Sequence, residues 1–93
     1  MTLLDLAKKY ENIKERLTLM MQALKGKGIY MEKSFRLREY DAHTNYAEIT
    51  AILYAFHEIG VIDGKVLGEA LDELARVFYP NARKLWKEAH KIR

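Results

Sequence analysis

Two residues of complementary chemistry stand close together before the middle of the chain. Arg38 and His43 lie five positions apart within Arg38-Glu39-Tyr40-Asp41-Ala42-His43. Histidine gives and takes a proton near neutral pH, while arginine keeps its charge and matches the geometry of phosphate oxygens. Glu39 and His43 are four apart, which on a helix puts them on one face and offers two ligands to a metal ion. Two ligands do not complete a site. No second carboxylate–histidine pair at helical spacing accompanies them, and neither a metal nor another cofactor is expected. His57-Glu58 lacks the second histidine of a zinc-protease helix. Gly26 and Gly28 frame Lys27, but a phosphate-binding loop follows a strand and these glycines follow an amphipathic helical pattern, so they read as a turn. The single serine, Ser34, has no nucleophile setting. Cysteine is absent, which removes disulfides and thiolate chemistry and fits a reducing compartment.

The Arg-x4-His arrangement of Arg38 and His43 resembles the motif of helical HEPN-type ribonucleases. The resemblance covers six of the 93 residues, and Arg36 with His43 and Arg83 with His90 match the longer spacing of the same motif. It implies a ribonuclease activity in which His43 serves as acid or base and Arg38 stabilises phosphate charge, the second alternative to the main reading below.

A different constellation closes the chain. Arg83, Lys84, Lys87, Lys91 and Arg93 gather around the only tryptophan, Trp86. Basic side chains pair with phosphates and an aromatic stacks on a base, so Arg83, Lys84, Trp86, Lys87 and Lys91 are candidates for nucleic-acid binding. The competing reading packs Trp86 with Leu85, Ala89 and Ile92 on a helical core and leaves the lysines to solvent. Charge along the chain is segregated. Residues 1–28 carry +3, residues 29–43 are neutral, residues 44–79 carry −4 and residues 80–93 carry +4. The ends are basic and the middle acidic, which suits either basic helices laid beside an acidic hairpin or a basic surface for an acidic partner.

The elements that would position these residues are helical. Leu3, Leu6, Tyr10, Ile13, Leu17, Met20 and Leu24 recur at alternating spacings of three and four. Such a ridge predicts one helix of about 33 Å, at roughly 1.5 Å per residue. Leu4, Ala7 and Met21 widen the stripe towards that of a bundle helix. Thr2 and Asp5 suit its N-cap, and Lys25 to Gly28 its end. Residues 29–43 fit a short strand or a helical face, and an irregular helical arm is preferred because no partner strand exists. The next helix is expected to start near Thr44 or Asn45 and stop at Gly60, with Val61 folding back on it. Asp63 caps a further helix through Phe78. The short connector makes an αα-hairpin, and Pro80 predicts a break at Tyr79 before a last helix. As a DNA-reading helix-turn-helix this hairpin is poor. Phe56 is too large for the close crossing, and Glu69, Asp72 and Glu73 would repel phosphates.

With 93 residues, 49% of them apolar, the chain is large enough for one domain with a modest core. No apolar run approaches the roughly 20 residues of a membrane span, and the N-terminus lacks a secretory pattern; a cytosolic location is expected. The expected fold is an all-α bundle of four helices, with an extra short helix or irregular arm at 29–43, spanning residues 1–93 as a single domain. The expected role is non-enzymatic: binding of a protein partner as a regulator, inhibitor or assembly subunit. The ridge Leu3, Leu6, Tyr10, Ile13, Leu17, Met20 and Leu24 would form the contact, through a homodimer. Apolar sequence in excess of what a small bundle covers, including Met31 and Tyr40, favours such a surface. Nucleic-acid binding by the last helix is the first alternative.

Overall fold

The computed structural model of the protein describes residues 1–91. Four α-helices, α1 (Leu3–Lys9), α2 (Glu11–Lys25), α3 (Phe35–Glu58) and α4 (Gly64–Lys91), pack into an all-α bundle with no strand among the described residues. One 3-10 turn at Gly28–Tyr30 lies in the α2–α3 connector.

The apolar ridge is helical along nearly its whole length, but it is not one helix. Tyr10 adopts an extended backbone conformation (φ −120°, ψ 112°) that ends α1 and starts α2. The reason lies at the far end of the bundle. The Tyr10 ring rests against Phe56, with centroids 4.7 Å apart, only a turn from the end of α3. A straight helix would carry Leu3, Leu6 and Ala7 past the α3–α4 loop into water. Turning back at Tyr10 buries all three between α2 and α4. The Leu3 N–H donates to Glu73 Oε2 on α4 at 3.3 Å. The Thr2–Asp5 capping box forms in full: the Asp5 N–H donates to Thr2 Oγ1 and the Thr2 N–H to Asp5 Oδ2. That second bond is the main cause that holds the Asp5 carboxyl below its ordinary range.

α2 ends at Gly26 in the left-handed region (φ +66°), as glycine permits. The connector is irregular to Ser34, and α3 then begins at Phe35, nine residues before the expected start near Thr44. Ser34 Oγ caps it by accepting from the Leu37 N–H. Thr44 and Asn45 sit inside the helix, where both donate to carbonyls four residues back. At its other end α3 closes as expected: the Val61 N–H reaches the Phe56 carbonyl and the Gly60 N–H the His57 carbonyl, a Schellman pattern. Asp63 Oδ1 accepts from the Val66 N–H and caps α4.

α4 runs unbroken through Pro80, which corrects the expected break at Tyr79. The pyrrolidine ring removes one donor and crowds the preceding turn. Pro80 is on the exposed side, where water can serve the carbonyl it leaves unpaired. Asn81 Nδ2 donates to the Val77 carbonyl at 2.7 Å, which adds a side-chain donor beside the missing one. Burial of Ala70, Leu74, Phe78 and Leu85 on one stripe holds both halves of α4 to the bundle. The sequence expectations for Ile92 and Arg93 lie outside the described residues.

α3 and α4 are antiparallel, α2 packs along α3, and α1 fills the space between α2 and α4. α1 spans about 10 Å, at roughly 1.5 Å per residue, whereas α4 spans about 42 Å. The bundle therefore has four helices in cross-section near the α3–α4 loop and three at the opposite end.

Candidate functional site

The ridge proposed as a contact surface is spent inside the chain. Leu3, Leu6, Ile13, Met20 and Leu24 are buried, and Tyr10 and Leu17 are half-buried against the same core. The chain's own α3 and α4 provide the company that the pattern demands. A dimer seam along this ridge, the contact expected from the sequence, would require the bundle to open, because these side chains are packed within the chain.

Arg38 and His43 do not form a site together. Five residues on a helix separate them by about 140°. Arg38 is only 8% exposed. Its Nε donates to the Ala23 carbonyl at 2.9 Å and its Nη2 to the Leu24 carbonyl at 3.1 Å. These are carbonyls at the end of α2, so Arg38 acts as a C-cap delivered from another helix, where a cation also suits the dipole. The guanidinium lies over Gly26, and a Cβ there would sit 2.8 Å from Arg38 Cζ. His43 is exposed and meets the Phe78 ring edge-on at 5.0 Å. Glu39 and His43 gain no third ligand: among the described residues no three His, Cys, Asp or Glu side chains converge.

The C-terminal constellation is presented to solvent. Arg83, Lys84, Lys87 and Lys91 are all exposed, and Trp86 is 51% exposed. None of the four cations is in an ion pair among the described residues; the two pairs that form are Arg16–Glu48, between α2 and α3, and Arg76–Asp72 within α4. The basic end of the chain is therefore not neutralised by the acidic hairpin. The structure adds Tyr79, 54% exposed, seven residues before Trp86 and hence on the same face. Tyr79, Arg83, Trp86 and His90 follow one another at spacings of four, three and four, with Lys87 four after Arg83 and three before His90, so they form one continuous strip.

Both aromatics of this strip are held. Tyr79 meets Tyr46 and Phe78 edge-on, at 5.8 and 5.3 Å. The Trp86 indole stacks on the His90 imidazole at 3.9 Å between centroids, 28° from parallel. His90 is fixed in turn by its Nδ1–H, which donates to the Trp86 carbonyl at 2.7 Å. The indole thus keeps half its surface open in a defined orientation. The sequence signal for Tyr79 was its spacing of seven from Trp86, which the expected break at Pro80 concealed; that for His90 was its spacing of four from Trp86.

A second group of exposed apolar side chains lies at the same three-helix end. Ile29 and Met31 project from the connector, and Leu37 and Tyr40 from the first turns of α3, with exposures from 41% to 68%. No family model matches this chain, and neither a curated protein nor a solved structure gives a match. No helix among the described residues is long and apolar enough to cross a membrane.

Proposed function

We propose that the protein is a non-enzymatic binding module for single-stranded nucleic acid, which it engages along the outer face of the C-terminal half of α4. The observation that carries this reading is the strip itself. Tyr79 and Trp86 are half-open and fixed, and Arg83, Lys84, Lys87 and Lys91 surround them without carboxylate partners. Unpaired bases offer faces on which such aromatics stack, while the cations track the phosphates; a duplex hides those faces. The ribonuclease reading has no comparable support, since the Arg38 guanidinium is committed to the α2 carbonyls.

Trp86 is the only tryptophan, so its fluorescence reports the proposed contact directly. Titration with a short single-stranded oligonucleotide at low salt should quench it. The affinity should fall with salt with a log–log slope of about −2 to −3, the value for three or four phosphate contacts on a single strand. Trp86→Ala, followed by the anisotropy of a dye-labelled oligonucleotide because the variant has no tryptophan, should weaken binding about fivefold or more, the low end of what a stacked base contributes. Absence of binding at 20 mM salt to about 1 mM protein would remove this reading.

A second reading keeps the expectation of protein contact but moves its place. Ile29, Met31, Leu37 and Tyr40 form a group of exposed apolar side chains, which a second copy of the chain would cover. Light scattering across a concentration series tests this: a dimer lost in Met31→Glu with Tyr40→Glu supports the patch, and a monomer at millimolar concentration ends it.

A further inference from the structure

A cleft of about 300 Å³ opens where the end of α2 meets the last turns of α4, lined in part by Lys25, Lys27, Arg38, Asn81, Lys84 and Glu88. We propose that this cleft seats the terminal phosphate monoester of a nucleic-acid strand whose following nucleotides lie on α4. The proposal deepens the reading of the α4 strip and rests on it.

Three features point to a phosphate. Four cations and one carboxylate line the cleft, and no ion pair among the described residues neutralises the lysines. Arg38 is more than nine-tenths buried and immobilised by its two bonds to α2 carbonyls. Of its guanidinium nitrogens, only Nη1 lacks an acceptor among the described residues, so a fixed donor remains for a bound oxygen. Asn81 adds an amide to the lining.

The excess of positive charge selects the class of phosphate. An internal diester carries one negative charge, whereas a terminal monoester carries nearly two at neutral pH and three acceptor oxygens. Lys84 lines the cleft and follows Arg83 of the strip, but it lies about 160° around α4 from Trp86, so a strand passes from cleft to strip by wrapping around the helix. The last phosphate of a strand can enter the cleft while bases a few nucleotides further along stack on Trp86.

The test compares three single-stranded decamers of one sequence, with a 5′-phosphate, with a 3′-phosphate, and with hydroxyls at both ends. The fluorescence of Trp86 gives their affinities. One phosphorylated form should bind about tenfold tighter than the hydroxyl form, the scale of one charge-assisted hydrogen bond. Lys25→Gln with Lys27→Gln should abolish that advantage and leave the affinity of the hydroxyl decamer unchanged. Both lysines are exposed and off α4, and circular dichroism will verify that the variant is folded. Equal affinity for all three decamers, or a preference that survives in the double variant, overturns the cleft and leaves the strip intact. If no decamer binds, both fall together.

Discussion

Arg38 shows how far one side chain can depart from the chemistry its type suggests. An arginine five residues before a histidine invites a catalytic reading; here it closes the end of a neighbouring helix. Two charge-assisted bonds to buried carbonyls should contribute about 2–3 kcal/mol in total after desolvation. Arg38→Ala should therefore lower Tm by roughly 10–20 °C in a chain of this size, with no gain or loss of any cleavage activity. Gly26→Ala should cost about 1–2 kcal/mol, because an L residue is strained in the left-handed region and its Cβ would push on the guanidinium. Thermal melts followed at 222 nm check both. Tyr30 gives a pH signature at the same scale. Burial first, and then its bond to the Asp41 carboxylate at 2.8 Å, raise its pKa from 10.0 to about 12. The folded phenol keeps its proton where the unfolded one has lost it. The stabilisation is whole below pH 10 and is lost as pH rises towards 12. Tyr30→Phe should make denaturant midpoints flatter across that window, and an unchanged slope would contradict the assignment.

At the scale of elements, Pro80 is the clearest case of packing overriding a local rule. Proline inside a helix costs about 3 kcal/mol relative to alanine, yet α4 continues because Phe78 and Leu85 on either side are anchored in one core. Pro80→Ala should restore the missing donor and raise Tm by roughly 10–20 °C, without moving the Tyr79–Trp86 strip. The turn of the α3–α4 hairpin was legible because glycine, aspartate and a Schellman pattern mark it within a few residues. The first turns of α3 were legible only as a short helix or irregular helical arm within 29–43, and their continuity with the helix expected from Thr44 was not. The buried seam of α3 passes through Arg38 and Asn45, and two polar residues on the inner face hide the heptad of Phe35, Ala42 and Ile49. The one local signal was Ser34, a capping residue directly before an apolar one. The turn at Tyr10 carries no glycine or proline. It exists because the bundle ends there, a fact of tertiary structure that residues 3–24 alone do not contain. For the candidate site the balance is reversed: every cation of the strip and Trp86 were readable from type and spacing, whereas Lys25, Lys27 and Arg38 come to the cleft from segments 11 or more residues apart.

At the scale of the whole molecule, about 48 Å long and 20 by 17 Å across, support is uneven along the axis. α1 buttresses only the end near the α3–α4 loop, so the opposite end has one helix fewer and α4 is missing a backbone donor at Pro80. Local opening should follow that gradient. In hydrogen–deuterium exchange, amides of α4 near Leu74 should be the slowest and those beyond Pro80 about tenfold or more faster. The strip and the cleft both sit on the loosely braced end. A ligand there would be held by the very segment that breathes most, and it would act as a splint. Its signature would be slowed exchange from residue 80 onward and in the α2 terminus, while sub-global openings of the braced end, which leave the ligand in place, would keep their own pace.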